Sequence, residues 1–124
     1  MAKILIIDDE AAIADLLGNF LAEEGHAVLK AGDGVHGMKL AADEAVDLVI
    51  TDLLMPRKGG LETVAELRRL RPAAKVIVIS GVTDEKSPGT VGTLAAEFGA
   101  DAFLAKPVRL AALREAVNAC LGGK

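Results

Sequence analysis

Four short apolar runs of the sequence end in side chains that could do chemistry. Asp8 and Asp9 follow the first of these runs, and Asp52, Ser80 and Lys106 follow later ones. Each group alone has an ordinary explanation: an acidic helix start, a turn residue or a solvated surface lysine. If the runs are parallel strands, however, their carboxyl ends meet at one edge of a sheet, where ligands bind.

This set of side chains has the composition of a phosphoryl-transfer site. Three carboxylates in one cleft repel each other, which raises at least one pKa unless a cation neutralises them. A hard divalent ion is the natural solution, and Mg²⁺ prefers oxygen ligands from one or two carboxylates, a phosphate and waters. One carboxylate then remains as a nucleophile, while a lysine neutralises the phosphoryl charge and a hydroxyl hydrogen-bonds it.

The chain alternates strand-like runs with longer stretches of helical spacing. This pattern predicts an α/β fold, a (βα)₅ parallel sheet with helices on both faces. The uninterrupted run Leu48–Ile50 is typical of a strand buried on both sides. The predicted strands cover residues 4–7, 27–29, 48–50, 76–79 and 102–104.

The predicted helices carry apolar residues at i, i+3, i+4 and i+7. The first helix ends at Gly25, and the second covers residues 35–44. The third helix ends before Pro72, and a fourth covers residues 93–98, after a predicted exposed loop at 83–89. Inward positions are expected at Ile13, Leu16, Leu17, Phe20 and Leu21 in the first helix, Leu61, Val64, Leu67 and Leu70 in the third, and Leu110, Leu113, Val117 and Leu121 in the last.

Length and composition indicate one soluble domain, with 124 residues, 52% of them hydrophobic, and a net charge of −4. The acidic balance, and three Phe with no Trp or Tyr, argue against a nucleic-acid surface. The start of the chain resembles neither a signal peptide nor a spanning helix, and the single Cys120 allows no internal disulfide. We therefore expect a cytoplasmic protein without membrane contact.

The ordered motifs resemble those of the receiver domain of two-component response regulators over residues 3–121. The resemblance implies a flavodoxin-like, doubly wound five-stranded sheet in the order 2-1-3-4-5, and a single receiver domain at 1–124 with no output domain in this chain. Whether the domain acts alone or within a longer regulator stays open. The matching motifs are Ile6-Ile7-Asp8-Asp9-Glu10, Val49-Ile50-Thr51-Asp52-Leu53-Leu54-Met55-Pro56 with Gly60 shortly after, Val78-Ile79-Ser80-Gly81 and Phe103-Leu104-Ala105-Lys106-Pro107.

The resemblance also implies a role for each acid. Asp52 would accept a phosphoryl group from a phosphohistidine on a sensor histidine kinase or phosphotransfer protein. Asp8, Asp9 and the backbone carbonyl of Leu54 would arrange Mg²⁺, and Lys106 would pair with the phosphoryl oxygens. Such a domain is a signalling module that catalyses only its own phosphorylation and dephosphorylation.

Two further residues would form a switch. Ser80 would move to hydrogen-bond the phosphoryl group, and Phe103 would turn inward as the Ser80 loop closes. The Lys106–Pro107 peptide bond is expected to be cis. An unknown downstream protein would read the face formed by the predicted helix 93–98, the fifth strand and the last helix.

Departures from the family pattern concern the loops. Gly59 stands where many members have Asp, and the segment between Ser80 and Lys106 is longer than expected, with its extra length at Asp84–Gly89. Leu54 and Val82 flank the phosphoryl position in the family. Because both are apolar, we expect them to hinder an attacking water and lengthen the phosphorylated lifetime.

Three other interpretations compete with this one. Gly32–Gly37 matches the GxGxxG motif of dinucleotide-binding domains, although Asp33 would place a negative charge beside the pyrophosphate. A haloacid dehalogenase-like phosphatase would also use Asp52, but its DxD motif needs an acid where Leu54 stands. The third is a receiver-like interaction module that is never phosphorylated.

Overall fold

Strands and helices alternate as predicted through the described residues up to 80, and a further strand and helix follow after residue 99. The computed structural model describes residues 2–52, 60–80 and 99–122. The predicted loop at 83–89 and helix at 93–98 lie outside these ranges, as do Leu54, Gly59 and Val82. Within them are β1 (Lys3–Ile7), α1 (Ala11–Glu23), β2 (Ala27–Ala31), α2 (Gly34–Asp43), β3 (Leu48–Asp52), α3 (Gly60–Leu70), β4 (Lys75–Ser80), β5 (Ala102–Ala105) and a C-terminal helix (Leu110–Cys120).

The five strands pair in parallel in the order β2-β1-β3-β4-β5, which confirms the predicted doubly wound sheet. The order reverses at β1 and β3, the point where such sheets open a crevice at their carboxyl edge. In the register, Ile7 is the partner of Thr51. Asp8 and Asp52, the next residue of each chain segment, are therefore level at this crevice.

Alternate residues of the central strands enter two cores, one on each face of the sheet. One core packs against α1 and the C-terminal helix, and the other against α2 and α3. Two-sided burial explains why these strands are continuously apolar rather than alternating. The central-strand residues are Ile4, Ile6, Leu48, Ile50, Ile77 and Ile79 in the first core, and Leu5, Ile7, Val49, Val76 and Val78 in the second.

Helix α1 packs on the sheet with four of its five predicted inward residues, since Leu17 and Leu21 are buried and Ile13 and Phe20 are partly buried against the same core. Ala14 and Gly18 complete the buried row, but Leu16 is 52% exposed. A Cβ at Gly18 would lie 3.4 Å from a side-chain carbon of β2, so the helix runs close to the sheet there. The prediction for Leu16 was wrong because the small residues, rather than the largest, set the line of closest approach.

Helix α3 confirms two of its predicted core positions and contradicts a third. Val64 and Leu67 are fully buried, whereas Leu70 is exposed. Leu70 is the last residue of the helix, so it lies at the margin of the packed face. None of the described helices is both long and apolar enough to cross a membrane.

The GxGxxG segment between β2 and α2 caps the N-terminus of α2 and lets this helix pack closely on the sheet. Asp33 is the N-cap of α2, and its carboxylate accepts a hydrogen bond from the His36 amide at 2.8 Å. A Cβ at Gly37 would overlap the Ile7 side chain, so glycine is what allows α2 to approach β1. A carboxylate thus holds the helix N-terminus at which a dinucleotide-binding fold places its pyrophosphate.

Candidate functional site

The carboxyl edge of the sheet brings four predicted site residues into one region. Asp8 directly follows β1, Asp52 and Ser80 are the last residues of β3 and β4, and Lys106 directly follows β5. Asp8, Asp52 and Ser80 are buried. These polar groups are held in place by the buried strands that precede them.

The Lys106 ammonium lies among three carboxylates. Its Nζ is 2.7 Å from Asp52 Oδ2, 3.0 Å from Glu10 Oε1 and 3.6 Å from Asp8 Oδ2. The first two contacts are hydrogen bonds. Lys106 therefore reaches from the edge strand β5 across to the carboxylates at the centre of the sheet.

A turn between β1 and α1 places Glu10 in this group. Asp8 Oδ1 accepts a hydrogen bond from the Glu10 amide at 2.9 Å, and the Asp8 amide donates to the Ala31 carbonyl at 3.0 Å. Glu10 is the N-cap residue of α1, but its carboxylate makes no capping bond to the described helix. Its side chain binds Lys106 instead, so the explanation of this acidic run as a helix cap does not hold for Glu10.

The charges of this cluster shift two pKa values. Burial, together with the charges of Asp52 and Glu10, raises the pKa of Asp8 despite the opposing effects of the Glu10 amide and Lys106. Burial by itself would lower the pKa of Lys106. The hydrogen bonds to Asp52 and Glu10, and the charges of Asp8 and Asp52, outweigh burial and raise it above its ordinary value. Lys106 is therefore protonated at neutral pH in this site.

The carboxylates could hold a metal ion. Among the described residues, oxygens of Asp8, Glu10 and Asp52 lie within 4.8 Å of one another. Such hard oxygen donors fit Mg²⁺ or Ca²⁺ better than a soft transition metal. Glu10 is the member to which sequence reasoning gave no role, although it stands in the acidic run. Asp9 is exposed and does not belong to this group, so its part in metal binding stays a prediction.

Both predicted switch residues lie on the strands that lead to this edge of the sheet, Ser80 on β4 and Phe103 on β5. Ser80 is fully buried, and its carbonyl accepts a hydrogen bond from the Lys106 amide at 2.9 Å. Phe103 is half-buried, is the register partner of Val78, and packs against the core on the α2 and α3 side. The Lys106–Pro107 peptide bond is cis.

A doubly wound parallel sheet with acids and a lysine at its switch point defines a receiver-type α/β domain. Residues 4–118 match the response regulator receiver domain family, and the chain belongs to that family. Receiver domains are signalling domains rather than classical enzymes.

Relatives and solved structures agree with this assignment. Transcriptional regulatory protein GlrR of Escherichia coli K12 is 35% identical over 120 residues, which cover 97% of this chain and 26% of that protein. A CheY-like receiver domain protein from Methanospirillum hungatei JF-1 is 29% identical, with a TM-score of 0.90 and coverage of 99% of this chain and 95% of that one.

A third similar structure contains a modified aspartate. It is a response regulator from Burkholderia pseudomallei with a phosphorylated aspartic acid, a calcium ion and citrate, 30% identical, with a TM-score of 0.84. The match covers 96% of this chain and 69% of that one. By contrast, the chain spans only about a quarter to a half of the length of the curated relatives it matches.

Proposed function

We propose that Asp52 accepts a phosphoryl group from a phosphohistidine of a sensor histidine kinase or phosphotransfer protein. The observation that carries the proposal is a buried carboxylate at the switch point whose Oδ2 lies 2.7 Å from the Lys106 ammonium. A carboxylate in such a place is a nucleophile with its charge partner already positioned. The phosphorylated aspartate of the Burkholderia pseudomallei relative supports the same chemistry.

In the transfer, an Asp52 carboxylate oxygen forms a bond to phosphorus while the phosphorus–nitrogen bond of the donor breaks. The imidazole leaves with the bonding electron pair and takes up a proton, and the product is an acyl phosphate. A protein accelerates such a step mainly by positioning the reacting groups and by stabilising the charge on the transferred phosphoryl group. Lys106 would neutralise the charge on the phosphoryl oxygens.

The donor set supports a role for Mg²⁺. Asp8 and Asp52 would hold the ion, and the family resemblance adds Asp9 and the Leu54 carbonyl. Bound there, the ion would neutralise negative charge on the transferred group. The raised pKa of Asp8 is consistent with a buried carboxylate that needs a further cation.

The added charge would then change the contacts of the domain with a downstream protein. Ser80 would hydrogen-bond the phosphoryl group and Phe103 would turn further inward. The surface read by the partner would include β5 and the C-terminal helix. We propose that this output is a protein contact made in the cytoplasm, without direct binding of nucleic acid by this domain.

Acetyl phosphate and Mg²⁺ test the proposal through the intact mass of the protein. The parent chain should gain one phosphoryl group and Asp52→Asn none. Asp43→Asn makes the same chemical change at an exposed position at the end of α2, so it should label like the parent. No gain by the parent, or an equal gain by Asp52→Asn, would overturn the proposal.

A further inference from the structure

Glu10 is the exposed member of the carboxylate cluster. Its side chain is 60% exposed, against 3% for Asp8 and 5% for Asp52. An ammonium has three N–H donors, and Lys106 directs one to Asp52 and one to Glu10. Lys106 is thus bound on its inner side by a buried acid and on its outer side by one that is free to change rotamer.

A divalent cation and the Lys106 ammonium need the same carboxylates. The oxygens of Asp8, Glu10 and Asp52 lie close together, and Nζ is within 3.6 Å of each residue. A doubly charged ion bound by Asp8 and Asp52 would repel the ammonium at such short range. Lys106 would therefore shift if such a cation entered, and its contact with Asp52 would weaken.

We propose that Glu10 is a positioning residue for Lys106, and that it keeps the ammonium at the mouth of the site when a divalent cation takes over Asp8 and Asp52. The inference rests on the proposed function, since it assumes cation binding there. The Glu10 carboxylate moves outward with the ammonium, so the displaced charge keeps a partner. Without Glu10, the ammonium faces the cation unpaired and cation binding weakens.

Mg²⁺ titration of the unphosphorylated full chain, followed by calorimetry or NMR, tests this effect. Glu10→Gln should raise the Kd for Mg²⁺ by about 5- to 10-fold. In a Lys106→Met background the same substitution should change Kd by less than about 2-fold, because the group through which Glu10 acts is gone. A general effect of surface charge would not depend on Lys106 in this way.

Glu23→Gln is the matched control, since Glu23 is an exposed residue at the far end of α1, roughly 20 Å away at 1.5 Å per residue. It should leave the Kd for Mg²⁺ unchanged.

The Glu10 side chain is exposed, so we expect Glu10→Gln to fold and to test the proposal even if Lys106→Met does not. In that case Lys106→Gln replaces Lys106→Met as the background.

Two results would overturn the inference alone: an unchanged Kd in Glu10→Gln, or an equal loss of affinity with and without the Lys106 ammonium. The second result would show that Glu10 acts on the cation directly. A parent chain that binds no Mg²⁺ would overturn the metal-dependent part of the proposed function, and this inference with it.

Discussion

The two edges of the sheet both gather charged side chains, but they balance charge differently. At the carboxyl edge, Asp8, Glu10 and Asp52 share the ammonium of Lys106. Three formal negative charges thus meet one positive charge within the described residues. Two of the acids are buried, so water does not fully screen the surplus.

At the amino edge, Arg68 of α3 has its charge matched by several groups. Its guanidinium donates to the carbonyls of Gly99 at 2.7 Å and Pro72 at 3.1 Å, and pairs with the Asp101 carboxylate. Asp101 also accepts a hydrogen bond from the Val76 amide at 2.8 Å. This network ties α3 to the starts of β4 and β5.

Arg71 repeats the pattern at the end of α2. It donates to the carbonyls of Ala41, Ala42 and Glu44 at 2.8 to 3.3 Å, where the helix dipole favours a cation. The carboxyl edge thus differs from the amino edge by its surplus of negative charge among the described residues, and not by the number of its ion pairs.

The largest expected effect comes from removal of the cation at the carboxyl edge. Lys106→Met should slow phosphorylation by acetyl phosphate at saturating Mg²⁺ by roughly 100-fold or more, the usual loss for one preorganised charge partner. Time-resolved intact mass measures the rate. Lys30→Met is the control, because Lys30 pairs with Asp15 on the exposed surface and should change the rate by less than about 2-fold. An unchanged phosphorylation rate in Lys106→Met would contradict a functional role for the charges at the carboxyl edge.

At the amino edge, we expect removal of the Arg68 charge to lower the stability of the fold without changing the phosphorylation rate. Arg68→Met removes the guanidinium from the Gly99 carbonyl and the Asp101 carboxylate, and should lower the free energy of unfolding in urea by about 1–3 kcal/mol. The phosphorylation rate of the folded protein should stay within about 2-fold of the parent. Arg69→Met, at the exposed neighbouring position, should affect neither quantity. A fall in rate as large as that of Lys106→Met would show that the two edges are not separate.

The smallest effect concerns pH. Because burial raises the pKa of Asp8, this side chain is more protonated in the folded chain than in the unfolded chain at pH values between its ordinary pKa of 3.8 and its raised folded pKa. The Asp8 contribution to stability is therefore present below the ordinary pKa and is lost as the pH rises through the folded pKa. Asp8→Asn, which keeps an acceptor for the Glu10 amide, should gain stability relative to the parent over this window without Mg²⁺. Urea unfolding from pH 4 to 7 measures the difference, and a difference that does not vary with pH would contradict it.

Sequence patterns predicted the strands better than the faces of the helices. A continuous apolar run such as Leu48–Ile50 is buried on both sides only as a central strand of a covered sheet. An apolar stripe on a helix, by contrast, does not fix how far the helix is rotated about its own axis against the sheet. Leu16 and Leu70 show the result, since both are apolar and exposed. Ala14 and Gly18 are small, so their burial in α1 could be found only from how closely the helix approaches the sheet.

The sequence by itself determined which residues end the strands: Asp8, Asp52, Ser80 and Lys106 follow from local hydrophobicity and from the shared edge of parallel strands. Only the tertiary structure decided which acids meet the ammonium. Spacing within the acidic run does not distinguish Asp9 from Glu10, because the choice depends on the turn fixed by Asp8 and on the reach of Lys106 from β5 across the sheet. Contacts between residues 96 positions apart in sequence depend on strand order and register, and no local pattern specifies them.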